Sequence, residues 1–260
     1  QLIILAARPA MGKTSLALNI ATHAALKSKK SVLFFSLEMP RVELTNRALC
    51  AEARVDQSRM RSNMLTQEDM TALTAAGAKL YTAPLFIDDT GAATVLRVKS
   101  KARKRKNLGL IVIDYLQLMK ASRDMDSRER EISEISRSLK LLAKELGVPI
   151  VALSQLNRSP ETRSSKDKRP QLSDLRESGA IEQDADVVLF VYRDEVYNQN
   201  TEDRGIAEVI CAKQRNGPTD TVRLRFIREL TKFENLSEEQ QYAPPPDDNW
   251  SELGDTEDAA

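Results

Sequence analysis

Eight consecutive residues, Ala7-Arg8-Pro9-Ala10-Met11-Gly12-Lys13-Thr14, have the types and spacing of a site that handles phosphate. They stand between an apolar run, Leu2 to Ala6, and a segment of helical apolar spacing that opens at Leu16. The order reads strand, loop, helix. In that setting the N–H groups of the loop and of the helix start, Ser15 included, surround phosphate oxygens. Lys13 reaches the β- and γ-phosphates of ATP, and the Thr14 hydroxyl is placed on Mg²⁺. Ala7 occupies the position where the usual pattern has glycine, which adds only a methyl group to the loop.

Phosphoryl transfer also needs a metal-holding acid, an activated water and positive charge where the γ-phosphate departs. Three polar residues end apolar runs and suit these tasks. Asp114, after Leu110 to Ile113, is the acid expected to hold Mg²⁺ through its water shell. Glu38, after Val32 to Leu37, is a carboxylate able to polarise the attacking water. Gln155, after Ile150 to Ser154, is an amide donor for the γ-phosphate. Lys213 and Arg215 alternate around Gln214, so an extended chain presents both on one side, next to Asn216-Gly217, a signal for a tight hairpin turn. A hairpin tip is poorly placed to serve its own distant site and suits an arginine finger toward a neighbouring subunit. Arg193 and Tyr197, just after a strand end, are candidates to stack on the adenine.

The elements that position these groups follow from apolar patterning. Helical spacing is expected from Leu16 to Ala25, after Pro40, from Thr66 with Asp69 as a capping-box acid, from Thr94 to Lys106, and from Arg128 to Leu146 before Gly147 and Pro149. Short continuous apolar runs, Leu2 to Ala6, Val32 to Leu37, Leu85 to Ile87, Leu110 to Ile113, Ile150 to Leu153 and Val187 to Tyr192, read as strands covered on both faces. Two β-runs follow, Ala207 to Ala212 and Thr221 to Ile227. The alternation predicts an α/β fold with a mostly parallel, doubly wound sheet and a C-terminal antiparallel hairpin. Ligands of such sheets bind beyond the C-terminal strand ends, where Glu38, Asp114 and Gln155 fall. Asn157 to Pro170, without apolar periodicity, reads as a mobile loop.

Composition narrows the remaining classes. The 260 residues carry 39 Lys and Arg against 38 Asp and Glu, so no global field recruits nucleic acid or membrane and any DNA contact must be local. Lys101 to Lys106 reads as a solvated helix end, with a nucleic-acid patch as the alternative. Cys50 and Cys211 lack metal-type spacing and read as small buried hydrophobes, and His23 as a partly exposed helix residue. No apolar run approaches the ~20 residues of a membrane span, and the expected location is cytoplasmic. Residues 1–235 form one expected domain. After Lys232 there is no Lys or Arg, and the acidic, Pro-containing stretch 236–260 reads as a disordered tail, with an interaction peptide as the sharper alternative.

Six blocks recur in one order: Ala7 to Thr14, Phe35-Ser36-Leu37-Glu38-Met39, Ile113 to Leu118, Ala152 to Arg158, Asp174-Leu175-Arg176-Glu177-Ser178-Gly179, and Lys213 to Gly217. Together they resemble bacterial replicative DNA helicases of the DnaB type, over roughly Gln1 to Asn235. The resemblance implies a RecA-like P-loop ATPase domain of a homo-hexameric ring that moves 5′ to 3′ on single-stranded DNA, with ATP bound between subunits. It makes Lys13, Thr14 and Asp114 the MgATP ligands, Glu38 the catalytic base, Gln155 the γ-phosphate sensor, and Lys213 and Arg215 the groups acting on the neighbour's ATP. It places Arg176, Glu177 and Gly179 in a central-channel loop that holds the DNA backbone. A helicase loader and a primase are the implied protein partners. The primase contact is expected through the family's N-terminal domain, which, like its linker helix, nothing before Gln1 supplies. A RecA-like recombinase or clock-type ATPase, or a nucleotide-gated interaction module, are the alternatives.

Overall fold

A computed structural model describes residues 1–91, 93–121, 125–163 and 167–236, with the side chains of residues 176–178 outside that description. The elements run β1 (Leu2–Ala7), α1 (Lys13–Leu26), β2 (Ser31–Ser36), α2 (Arg41–Ala53), α3 (Gln57–Arg61), α4 (Gln67–Tyr81), β3 (Leu85–Asp88), α5 (Val95–Arg103), β4 (Leu108–Asp114), α6 (Arg128–Leu146), β5 (Ile150–Gln155), α7 (Ser159–Thr162), α8 (Gly179–Asp184), β6 (Val187–Tyr192), β7 (Ile206–Gln214), β8 (Thr221–Ile227) and β9 (Lys232–Asn235). One sheet takes all nine strands in the order β3-β2-β4-β5-β1-β6-β7-β8-β9. The first six are mutually parallel and the last three antiparallel, and the apolar runs and the two late β-runs foretell all of them but β9.

Side chains of β1 alternate between two cores because successive residues of a strand face opposite ways. Leu2, Ile4 and Ala6 join Ile132, Ile135, Leu139 and Leu142 of α6, whereas Leu5 and Ala7 join Leu16, Ala17 and Ala21 of α1. Both faces are therefore covered, which is why the parallel strands carry almost no polar residue before their C-terminal ends.

Local signals explain several boundaries. Thr66 and Asp69 exchange hydrogen bonds in a full capping box at α4. Gly147, at φ +66°, ends α6 in the left-handed conformation that glycine adopts without a Cβ clash. Cys50 is buried, but Cys211 is only half-buried, on β7, whose residues from Val209 to Lys213 are all half-buried. His23 is exposed on α1. Among the described residues no helix is long and apolar enough to cross a membrane.

Three expectations change. The β7–β8 connection is not a two-residue turn. Ile210 and Thr221 form the last cross-strand pair, and β7 runs four residues further, paired with β6 alone. Pro218 has no N–H to donate, so it cannot supply a ladder bond to a strand returning directly after Asn216-Gly217. Within Asn157 to Pro170, Ser159–Thr162 forms one helical turn with Pro160 buried near its start, tied down by an Arg8–Glu161 ion pair at 2.7 Å and by Arg163 on Asp174 at 3.0 Å. Residues 164–166 lie outside the description. Strand β9 was not foreseen, because Phe233 is its only apolar residue. The acidic tail, apart from a buried Leu236, lies outside the described residues.

Candidate active site

Four adjacent strands deliver the predicted groups to one place. In the order β2-β4-β5-β1, their C-terminal ends carry Glu38, Asp114, Gln155 and the phosphate loop. Register makes this convergence obligatory. Ser36 pairs with Asp114, Leu37 N–H donates to the Asp114 carbonyl (2.7 Å), and Ala7 pairs with Gln155. A cavity of about 690 Å³ opens there, walled by Ala7 to Ala10, Gly12 to Ser15, Glu38 and Gln155. Met11 is buried beneath the loop rather than facing the cavity.

The loop has the backbone that a phosphate cradle requires. Gly12, at φ +97°, starts α1 with no side-chain cap, so the first N–H groups of the helix stay available. The glycine is needed for a second reason: a Cβ there would come within 2.9 Å of the Phe233 ring. Ala10 is also left-handed, at φ +66°.

Beneath the loop, Thr14 Oγ1 donates to Asp114 Oδ2 at 2.7 Å, and Lys13 Nζ lies 3.9 Å from Asp114 Oδ1 and 4.6 Å from the centre of the Tyr115 ring. Asp114 is wholly buried. Burial pushes its carboxyl up and the Lys13 amine down from their ordinary values, each partly offset by the other's charge. Asp114 Oδ1 has no hydrogen-bond partner among the described residues. A buried carboxylate oxygen with spare lone pairs beside a threonine hydroxyl is a hard-oxygen pair that fits Mg²⁺, which takes one or two protein ligands and otherwise water and phosphate. No group of three or more His, Cys, Asp or Glu able to hold a metal occurs among the described residues.

Glu38 is exposed at the cavity wall, where a water beside a nucleotide could reach it. Gln155 is exposed too, but its backbone is clamped: Gln117 donates to Ser154 Oγ (2.9 Å) and to the Gln155 carbonyl (3.3 Å) and accepts from the Gln155 N–H (3.4 Å). Sequence reasoning passed over Gln117, as it did Tyr115 and the cavity-lining Arg47. Their positions near Asp114 and Glu38 were the available signal. Of the two candidates for adenine, Arg193 lines the cavity, while Tyr197 stacks on Tyr192 at 5.9 Å between centroids.

Lys213 and Arg215 stand elsewhere. Lys213 pairs with Val188, which pairs with Ile4, and Arg215 N–H donates to the Asp186 carbonyl (2.9 Å), so both lie toward the opposite end of the sheet. Five residues of strand separate Arg215 from the loop's level, about 17 Å at ~3.3 Å per residue. Lys213 donates to the Glu182 carbonyl and Arg215 to that of Gln183 (3.0 Å), both at the C-terminal end of α8. Arg176 and Glu177 fall in the 3-10 segment Leu172–Ser178, their side chains outside the description, and Gly179 opens α8. The Lys101 to Lys106 run ends α5: Lys101 binds Asp88, Arg103 meets Glu145 at 2.6 Å, and Lys104, Arg105 and Lys106 are exposed.

Comparison with known proteins places the chain in a family. The model of the DnaB-like helicase C-terminal domain matches residues 1–235. The chain is 54% identical over 239 residues to the replicative DNA helicase DnaB of Geobacillus stearothermophilus, covering 90% of this chain and 52% of that protein. It is 52% identical over 239 residues to the replicative DNA helicase DnaC of Bacillus subtilis, with the same coverage of both. Among solved structures, a DnaB-like replicative helicase, described with its interactions with primase, superposes with a TM-score of 0.87 at 40% identity over 91% of this chain and 57% of that one. The ATPase domain of G40P does so with the same score, identity and coverage of this chain, and 84% of its own. The chain spans about half the length of the curated relatives it matches, and its fold is that of their RecA-like ATPase domains. With the family model matching from residue 1 to residue 235, this chain belongs to the DnaB-like helicase C-terminal domain family.

Proposed function

We propose that this chain is the ATP-hydrolysing motor module of a replicative DNA helicase that assembles as a ring hexamer and moves 5′ to 3′ on single-stranded DNA. The observation that carries this reading is the alignment, on four adjacent strand ends, of the phosphate loop, Gln155, Asp114 and Glu38 around one cavity.

The loop amides and Lys13 hold the β- and γ-phosphates, and Thr14 and Asp114 would hold Mg²⁺, which would supply charge neutralisation at the phosphate oxygens. Glu38 accepts a proton from the attacking water as the water oxygen bonds to the γ-phosphorus and the bond to the β–γ bridging oxygen breaks, which releases ADP and phosphate. Gln155, fixed by Gln117, donates to the γ-phosphate and registers its loss. Lys213 and Arg215 lie too far from their own loop and complete the site of a neighbouring copy. Arg215 is suited to this, with half its side chain exposed and Nη1 without a hydrogen bond among the described residues. Arg176, Glu177 and Gly179 line the ring's channel and grip DNA phosphates, a sequence-independent hold that suits a motor. Loader and primase are the expected protein partners.

Turnover measured with and without single-stranded DNA, on a sample whose oligomeric mass is known, tests the reading. Hydrolysis stimulated by DNA in a hexamer is the expected result. DNA-independent turnover or strand exchange would point instead to a clock-type or recombinase-type ATPase, and binding without turnover to an interaction module. Arg176→Ala should lower single-strand affinity and reduce the salt slope by about one unit. An unchanged slope would remove Arg176 from the DNA path.

A further inference from the structure

We propose that Arg193 is a positioning residue that holds the phosphate loop in its phosphate-binding shape, an inference that rests on the ATP-site reading above. Arg193 follows β6, the strand next to β1, and only 7% of it is exposed. Its Nη1 donates to the carbonyl of Ala10 at 3.1 Å, across 183 residues of sequence. Ala10 is one of the loop's two left-handed residues, and the only one of them with a Cβ, so its conformation needs external support.

A peptide unit is planar, so fixing the Ala10 carbonyl also fixes the N–H of Met11 on the other side of the same plane. That N–H points across the loop to the Arg8 carbonyl at 3.4 Å. One guanidinium contact thereby sets a peptide plane in the middle of the cradle.

The guanidinium is itself immobilised. Glu195 accepts from Nε at 3.0 Å and also from Nη2, and its other oxygen accepts the Gly205 N–H at 3.0 Å. The Arg193 plane lies 4.2 Å from the centre of the Phe226 ring, and Phe226 packs on Phe233, the ring that lies against Gly12. The loop thus rests on Arg193, Phe226 and Phe233, the two rings tilted by 49° with centroids 4.8 Å apart, and is tied to Arg193 at Ala10. A planar fork that stacks, pairs with a carboxylate and still donates sideways is a task for arginine, which lysine cannot reproduce. Since the group also lines the cavity, contact with the nucleotide base is the competing role.

Binding of MgATP and of inorganic tripolyphosphate with Mg²⁺, compared in the wild type, Arg193→Lys and Arg193→Gln by calorimetry, separates the two. The tie predicts that both ligands weaken by the same factor, about tenfold, as for loss of a charge-assisted hydrogen bond. A loss confined to ATP would assign Arg193 to the base and overturn the proposal, as would unchanged binding of both. Glu195→Gln, which loosens the guanidinium without removing it, should weaken both ligands in parallel by a smaller factor, and it decides the matter if the Arg193 variants do not fold. Failure of the wild type to bind either ligand would overturn the ATP-site reading itself, a distinct outcome.

Discussion

The two ends of the parallel sheet use charge in opposite ways. At the C-terminal strand ends, a half-buried Lys13 stands beside a wholly buried Asp114, and an Asp114 oxygen is left without a hydrogen-bond partner among the described residues. At the other end, Lys213 and Arg215 are engaged by carbonyl groups of α8, and Asp186 lies 3.6 Å from Arg215 Nε. The first arrangement leaves a carboxylate oxygen unpaired at a cavity, as a site proposed for a cation and phosphate requires. The second is satisfied within the chain, yet leaves guanidinium donors facing outward. On the function proposed above, the difference teaches that one fold carries two complementary half-sites about 17 Å apart along its strands, which a ring of identical copies would bring together at each interface.

The largest effect should come from removing the centre of the first half-site. Lys13→Ala should abolish nucleotide binding and reduce turnover to less than about one thousandth, measured by calorimetry and phosphate release. Retained ATP affinity would break the comparison, because the loop would then not depend on its lysine. Arg215→Ala comes next: hydrolysis should fall by about a thousandfold while ATP binding to the chain's own loop persists. Mixing this variant with Lys13→Ala sharpens the test. Each carries the half-site the other lacks, so mixed rings should recover turnover, and absence of any recovery would argue against a shared site.

How far the sequence alone reveals these half-sites depends on the range of the interactions. Asp114, Glu38 and Gln155 are legible because each ends an apolar run, and parallel strands covered on both faces carry their polar groups at the ends. The pairing of Ser36 with Asp114 and of Ala7 with Gln155 then follows from strand order, which no local pattern encodes. Arg193 was legible only as a residue just after a strand, since the carbonyl it meets lies 183 positions away. Strand β9 eluded pattern reading for a related reason: its single buried apolar residue, Phe233, packs on β8 and on the loop glycine rather than repeating a period. The hairpin was foreseen but its length was not, because Asn-Gly favours a tight turn while the following proline opposes it.

A smaller effect tests what anchors the second half-site. Asp186 accepts the Leu2 N–H at 2.8 Å and a hydrogen bond from Lys140 while standing beside Arg215. Burial alone would raise its carboxyl, but these partners outweigh it and hold the group below its ordinary value. A depressed folded-state value means that the stabilisation is present above the ordinary carboxylate range and is lost as the pH falls through the folded value. Asp186→Asn should therefore cost about 2 kcal/mol near neutrality, read by urea unfolding, and shrink toward zero in acid. A cost that does not change with pH would show that Asp186 acts by packing rather than charge.

The smallest effect serves as the reference for the others. Thr66 caps α4, and neither Thr66 nor its partner Asp69 lines the nucleotide cavity or touches Lys213 or Arg215. Its hydroxyl accepts the Asp69 N–H at 3.2 Å, and Asp69 returns a bond by accepting the Thr66 N–H at 2.9 Å. Removing the hydroxyl leaves one helix-terminal N–H to water, so Thr66→Ala should lower stability by about 1 kcal/mol in urea unfolding. ATP affinity and turnover per folded hexamer should stay at wild-type values, because the cap acts only on α4. Should turnover fall by more than the folded fraction explains, α4 would have to be coupled to one of the two sheet ends, and the division of the chain into two half-sites on an inert scaffold would need to include it.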